Sequence, residues 1–257
     1  MKPTFVQTKN YRAFMGAIDG LRARGAAECR LIVVDGAPGL GKTTILHRWA
    51  AQEACVYLRA KTEWSPSWMM GELLSEFRAS PPRTHEARFN LCLQLLSERA
   101  QLAERTQQQF AVVIDEADHV TSKGKLVDAI RDLADLSEVP FVLIGMGRIR
   151  DNLTKFPQTA SRISRYVRFD PADVEDVRAF LDAQCEVPVA EDLAHFVQTA
   201  TRGFNREIRE AIVSIEKYGQ RNTPKGPQGL TIAEMAGQHL INDRKSGQPI
   251  HVPGGRK

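Results

Sequence analysis

From residue 30 onward, short apolar runs alternate with longer stretches in which apolar residues recur at helical spacing. That alternation predicts a parallel α/β sheet: strands buried on both faces read as continuous apolar runs, while crossover helices carry one apolar stripe. The runs place strands at about 30–35 (RLIVVD), 54–59 (ACVYLR), 110–115 (FAVVID), 140–145 (PFVLIG) and 166–169 (YVRF). Helical patterns fall near 42–53, 66–79, 85–107, 123–136 and 147–155, each long enough for a crossover connection. After Pro171 the strand signal stops, and patterns near 171–184, 189–200, 205–218 and 231–243 predict a second, all-helical unit. The expected organisation is an N-terminal linker or helix (1–29), a five-stranded α/β domain (30–170), a helical domain (171–243) and a flexible basic tail (244–257).

Composition narrows this only slightly. The 257 residues, 42% hydrophobic and 26% charged, suit a globular core with a small satellite domain and exclude disorder or a coiled-coil array. The net charge of +4 is small, but it is unevenly spread. Residues 31–218 hold 23 basic and 27 acidic side chains, whereas the first 30 and the last 39 residues each hold 6 basic and 2 acidic. Cys29, Cys55, Cys92 and Cys185 are scattered without a CxxC pair, against both a zinc site and a disulfide scaffold. No apolar run approaches the ~18–20 residues that span a bilayer, and the N-terminus leads into polar residues. A cytoplasmic protein without a membrane partner is expected.

Gly36-Ala37-Pro38-Gly39-Leu40-Gly41-Lys42-Thr43 matches G-x-x-x-x-G-K-[ST], after a predicted strand and at the start of a predicted helix. Its glycines let backbone N–H groups close around phosphates, where the helix N-terminus adds partial positive charge. Lys42 is expected to reach the β- and γ-phosphates, Thr43 to ligate Mg²⁺, and Thr44 to join the nucleotide-binding set. Phe110-Ala111-Val112-Val113-Ile114-Asp115-Glu116 supplies the matching half, an apolar strand delivering carboxylates at its C-terminal edge. Asp115 is expected to hold Mg²⁺ through water, and Glu116 to polarise the attacking water. Hydrolysis of ATP to ADP and phosphate is the expected reaction.

These two motifs, with a helical lid after the sheet, resemble the AAA+ ATPases. Within that group, several stretches look most like the MuB-type target-DNA activators of transposable phages, which are related to the TnsC and IstB transposition ATPases and to ExeA-type secretion ATPases. Those stretches are Thr8-Lys9-Asn10, Gly36–Thr43, Ile114-Asp115-Glu116-Ala117-Asp118, Leu126–Asp135, Val142-Leu143-Ile144-Gly145-Met146 and Ser161-Arg162-Ile163. The resemblance covers about residues 5–218. It implies an ATPase that oligomerises as a helical filament on duplex DNA, largely independent of sequence, and marks target DNA. It also implies that the protein recruits or stimulates a transposase inside the bacterial host of a phage or transposon.

The resemblance also carries residue roles. Arg162 corresponds to an arginine finger serving a neighbour's ATP, with Arg165 the second choice; a solvated basic edge including Arg168 is the other reading. Gly203-Phe204-Asn205-Arg206 resembles sensor 2, placing Arg206 over the nucleotide. The sensor 1 position departs from the pattern, because Met146 stands where a polar group is expected. DNA contacts are implied at Lys61 and Thr62 after the second strand and at Lys123 and Lys125 after the third, since phosphate binding needs charge and donors but no base-reading code. Lys123 and Lys125 opening an exposed helix, and Trp64 and Trp68 packing the sheet edge, are the alternatives. A protein-directed switch of the ExeA type and a helicase loader remain as other functions.

Overall fold

The computed structural model describes residues 1–23 and 30–254; Cys29 and the last three residues of the expected basic tail lie outside the described residues. The chain divides into two compact units, residues 13–37 with 42–169, and residues 1–12 and 38–41 with 170 onward.

The larger unit runs α1 (Lys9–Ala23, whose first residues count with the other unit), β1 (Leu31–Asp35), α2 (Lys42–Gln52), β2 (Val56–Arg59), α3 (Pro66–Glu76), α4 (His85–Arg105) and β3 (Val112–Asp115). It continues through α5 (Asp118–Thr121), α6 (Gly124–Ser137), β4 (Phe141–Ile144), α7 (Ile149–Leu153), α8 (Pro157–Ala160) and β5 (Ile163–Arg168). The sheet is parallel in the order β2-β3-β4-β1-β5. The inner strands β3 and β4 are buried along their whole length and β1 along all but its last residue, so their sequences read as unbroken apolar runs. Leu31, Val33, Ile114 and Phe141 join Leu96, Leu126 and Ile130 in the core beside the sheet. Local signals start the helices: Ser65 accepts from the Trp68 N–H ahead of Pro66 in α3, and Thr84 accepts from the Ala87 N–H in α4.

Strand β5 begins at Ile163, three residues before the predicted start. As an edge strand it mixes polar and apolar residues (ISRYVR), only Val167 being buried, and its pairing with β1 shifts register between Leu31 and Ile32.

The smaller unit contains α9 (Val174–Gln184), α10 (Glu191–Thr201), α11 (Asn205–Gly219), β6 (His239–Asn242) and β7 (Pro249–His251). Asp173 caps α9 by accepting from the Asp176 N–H at 3.0 Å. Val177, Leu181, Leu193, Val197, Ile208 and Ile212 fill its core. The N-terminal run is tied to this unit: the Asn10 side chain exchanges two hydrogen bonds with the Asp170 backbone, and Lys9 pairs with Asp173 and Glu175.

Residues 231–243 do not form the predicted helix. Gly237 sits at φ +75°, and the chain beyond it makes an antiparallel hairpin, β6 against β7. The segment 244–254 is correspondingly the second half of that hairpin, with Val252 buried in the core of the unit, and not a flexible tail. Two apolar pairs, Leu240-Ile241 and Pro249-Ile250, flank a turn rich in Asp, Ser and Gly, which is a hairpin signal too short to register as helical or strand periodicity.

Candidate active site

The loop after β1 needs its glycines. Gly39 and Gly41 have φ of +94° and +83°, a region that side-chain-bearing residues rarely adopt. Lys42 opens α2 with a buried side chain, and its Nζ donates to the carbonyls of Gly36 at 2.5 Å and Ala37 at 2.9 Å. Burial pushes the Lys42 pKa down, while the charges of Asp35, Asp115 and Asp118 favour its ammonium form.

Asp115, at the end of β3, gathers three donors. Its Oδ2 accepts from the Thr43 hydroxyl at 2.8 Å and the Tyr57 hydroxyl at 2.6 Å, and its Oδ1 accepts from the Glu116 N–H at 2.8 Å. Burial raises the Tyr57 pKa, and the hydrogen bond to Asp115 adds to the shift, so the phenol remains a donor. A hydroxyl and a carboxylate oxygen this close, at the C-terminal edge of a parallel sheet, fit Mg²⁺, which takes few protein ligands and completes its octahedron with phosphate oxygens and water. Glu116 follows at φ +56°, and its Oε1 lies 2.5 Å from Arg59 Nη2 at the end of β2. That contact raises the Arg59 pKa.

Backbone groups hold the segment after β4. The Met146 N–H donates to Asp118 Oδ2 at 2.6 Å, and the Gly147 N–H donates to Asp35 Oδ1 at 2.5 Å. A Cβ on Gly145 would lie 2.7 Å from Ile149 Cβ and 2.9 Å from Asp118 Oδ2, so only glycine fits there. The Met146 side chain is exposed, and the engaged group at this position is its amide.

The loop apex, residues 38–41, packs within the smaller unit. Asn205, the first residue of α11, donates from Nδ2 to the Leu40 carbonyl at 3.1 Å, and a Cβ on Gly41 would lie 2.6 Å from that nitrogen. Arg206 beside it is exposed, as is Thr44 on α2.

The other expected residues lie on the surface of the larger unit. Lys61 pairs with Glu72 and sits 5.3 Å from the centre of the Trp68 ring. Lys123 Nζ donates to the carbonyls of Thr62 at 2.5 Å and Trp64 at 3.2 Å, which ties the loop after β3 to the loop after β2. Trp64 is buried, Trp68 is exposed, and Lys125 is exposed at the start of α6. Arg162 donates from Nε to Asp135 Oδ2 at 3.0 Å, and Arg165 is exposed on β5. Sequence reasoning missed Tyr57, Arg59 and Asn205. The first two share one face of β2, whose register sets Arg59 beside Asp115, so the alternation Val56-Tyr57-Leu58-Arg59 held a readable signal.

Sheet order, glycine loop and strand-end carboxylates define a P-loop α/β protein. A model of the AAA domain family matches residues 25–153, about half of the chain, and the chain belongs to that family. No curated protein sequence matches it. Among solved structures it is similar to Cdc6p from Pyrobaculum aerophilum at 17% identity and a TM-score of 0.60, covering 91% of this chain and 68% of that one. It is similar to the Aeropyrum pernix ORC2 protein in ADPNP–ADP complexes at 12% identity and 0.59, covering 90% and 68%. The Aeropyrum pernix ORC1 protein in complex with DNA matches at 15% identity and 0.54, covering 86% and 62%. At these identities the likeness concerns the fold.

Proposed function

We propose that this chain is an ATP-hydrolysing AAA+ protein that oligomerises on duplex DNA, marks target DNA and recruits or stimulates a transposase. The convergence of Thr43 and Tyr57 on Asp115, next to Glu116 and after a buried Lys42, carries the nucleotide half of this reading. Lys42 turns its ammonium from the Gly36 and Ala37 carbonyls to phosphate oxygens, exchanging neutral acceptors for charged ones. Thr43 and Asp115 would hold Mg²⁺, which when bound would draw charge from the phosphate oxygens. Glu116 accepts a proton from the attacking water as the water oxygen bonds to the γ-phosphorus and the bond to the ADP oxygen breaks. In the resting chain Glu116 is held in an ion pair with Arg59.

For DNA, support comes from the two lysine-bearing loops that Lys123 ties together, with Lys61 and Lys125 alongside. The similar Aeropyrum pernix ORC1 structure holds DNA. A few lysines per subunit suffice when an oligomer repeats them along a polyanion. Arg162, or Arg165, supplies the finger to a neighbouring subunit. A protein-directed switch is the second reading, favoured by the internal pairing of Lys61 with Glu72.

Binding of a labelled duplex, measured with ATP, with ADP and without nucleotide over a salt series, separates the two. ATP-dependent binding that weakens steeply with salt is expected, together with filaments visible in electron micrographs. Equal affinity with and without ATP would contradict the DNA reading.

A further inference from the structure

The turn of the C-terminal hairpin is built with more care than a loose surface turn requires. Asp243 Oδ1 accepts from the N–H groups of Lys245 at 2.9 Å and Ser246 at 2.8 Å and from the Ser246 hydroxyl at 3.0 Å. Its Oδ2 accepts from Arg202 Nη2 at 2.9 Å. These donors, Ser246 foremost, hold the Asp243 carboxyl below the usual carboxylate range. The residue presented by this fixed turn is Arg244.

Its guanidinium rests on the apex of the phosphate loop. Arg244 Nη1 donates to the Pro38 carbonyl at 3.3 Å and to Glu207 Oε1 at 3.4 Å, and a Cβ on Gly39 would lie 2.9 Å from that nitrogen. Glu207, in the first turn of α11, is the less ordinary partner. Its side chain is 8% exposed, its Oε2 is buried without a hydrogen-bond partner among the described residues, and that oxygen lies 3.8 Å from where a Gly39 Cβ would stand. A first-turn acid complements its own helix N-terminus, but a buried carboxylate beside a loop that cradles phosphates opposes a polyanion. Arg244, Glu207, Asn205 and the loop apex all belong to one compact unit.

We propose that Arg244 is a nucleotide-positioning residue. Its guanidinium screens the Glu207 carboxylate from the phosphates held by the loop and fixes the loop apex through the Pro38 carbonyl. This rests on the reading that loop 36–43 binds nucleotide. The role differs from that of Arg206, because Arg244 acts through the loop and through the charge of a neighbour.

The test is equilibrium binding of a fluorescent ATP analogue, and of its ADP counterpart, to the full chain. Arg244→Gln is expected to weaken ATP binding by roughly tenfold, from one unscreened charge near a surface loop, and ADP binding by less. Arg244→Lys keeps the charge and is expected to stay within about threefold of wild type. Adding Glu207→Gln to Arg244→Gln removes the charge that needed screening, so affinity should return to within about threefold of wild type. Wild-type affinity in Arg244→Gln, or a double variant as weak as the single one, would overturn the assignment while leaving nucleotide binding intact. A wild-type chain that binds neither nucleotide would instead refute the reading on which it rests.

Discussion

The Asp115 cluster and the lysine loops lie in the same unit but are built in opposite ways. Asp115 is buried, and both its oxygens are held by hydroxyl and amide donors from β2, α2 and its own strand end. Lys61 and Lys123 stand at the surface, one paired with Glu72 and the other spanning two carbonyls of the adjacent loop. Burial fixes geometry because an unsatisfied polar group is costly there, whereas an exposed ion pair is held by about 0–1 kcal/mol and exchanges partners readily. The first arrangement suits in-place chemistry, and the second suits adaptable contact with a repeating backbone.

Four substitutions test this contrast. Lys42→Ala should have the largest effect. It removes a buried cation that would bond phosphate oxygens, a loss of about 2–3 kcal/mol or more that titration calorimetry would read as nucleotide affinity reduced roughly 100-fold. Tyr57→Phe deletes one of the donors to Asp115. Chemical denaturation should show a loss of about 0.5–1.5 kcal/mol in stability, with the magnesium concentration needed for half-maximal turnover shifted as well. Arg59→Ala frees Glu116 from a largely exposed ion pair, so basal turnover should rise by roughly twofold to fivefold; a fall would mean that Arg59 itself assists the reaction. Lys61→Ala should weaken duplex binding least, uniformly across sequences, and lower the salt slope by about 1.

How much the sequence revealed follows the same division. The inner strands were legible because both their faces are buried, and the glycine loop because its positive φ angles restrict residue choice. The early start of β5 was not, since the polar pair Ser164-Arg165 breaks the apolar run where the pairing with β1 shifts register. The hairpin of β6 and β7 escaped because four and three residues are too few to establish a period, and Ile232, Met235, Ala236 and Leu240, at i, i+3, i+4 and i+8, mimic one helical face. Around the site, Lys42, Thr43, Asp115 and Glu116 stand close in sequence to their motifs. Tyr57, Asn205 and Arg244 reach Asp115 or the loop across separations of 58, 165 and 206 residues. Such pairings depend on strand register and on a turn built around Asp243, neither of which a local pattern encodes.

Release of phosphate from ATP, measured side by side for wild type and Glu116→Gln with nucleotide affinity determined on the same samples, decides whether Glu116 activates water. ATP affinity should be unchanged in the variant and turnover about 10²–10⁴-fold lower, the usual contribution of a general base. Unchanged turnover in Glu116→Gln would show that the carboxylate after β3 does not activate water, and would contradict hydrolysis at this site as described.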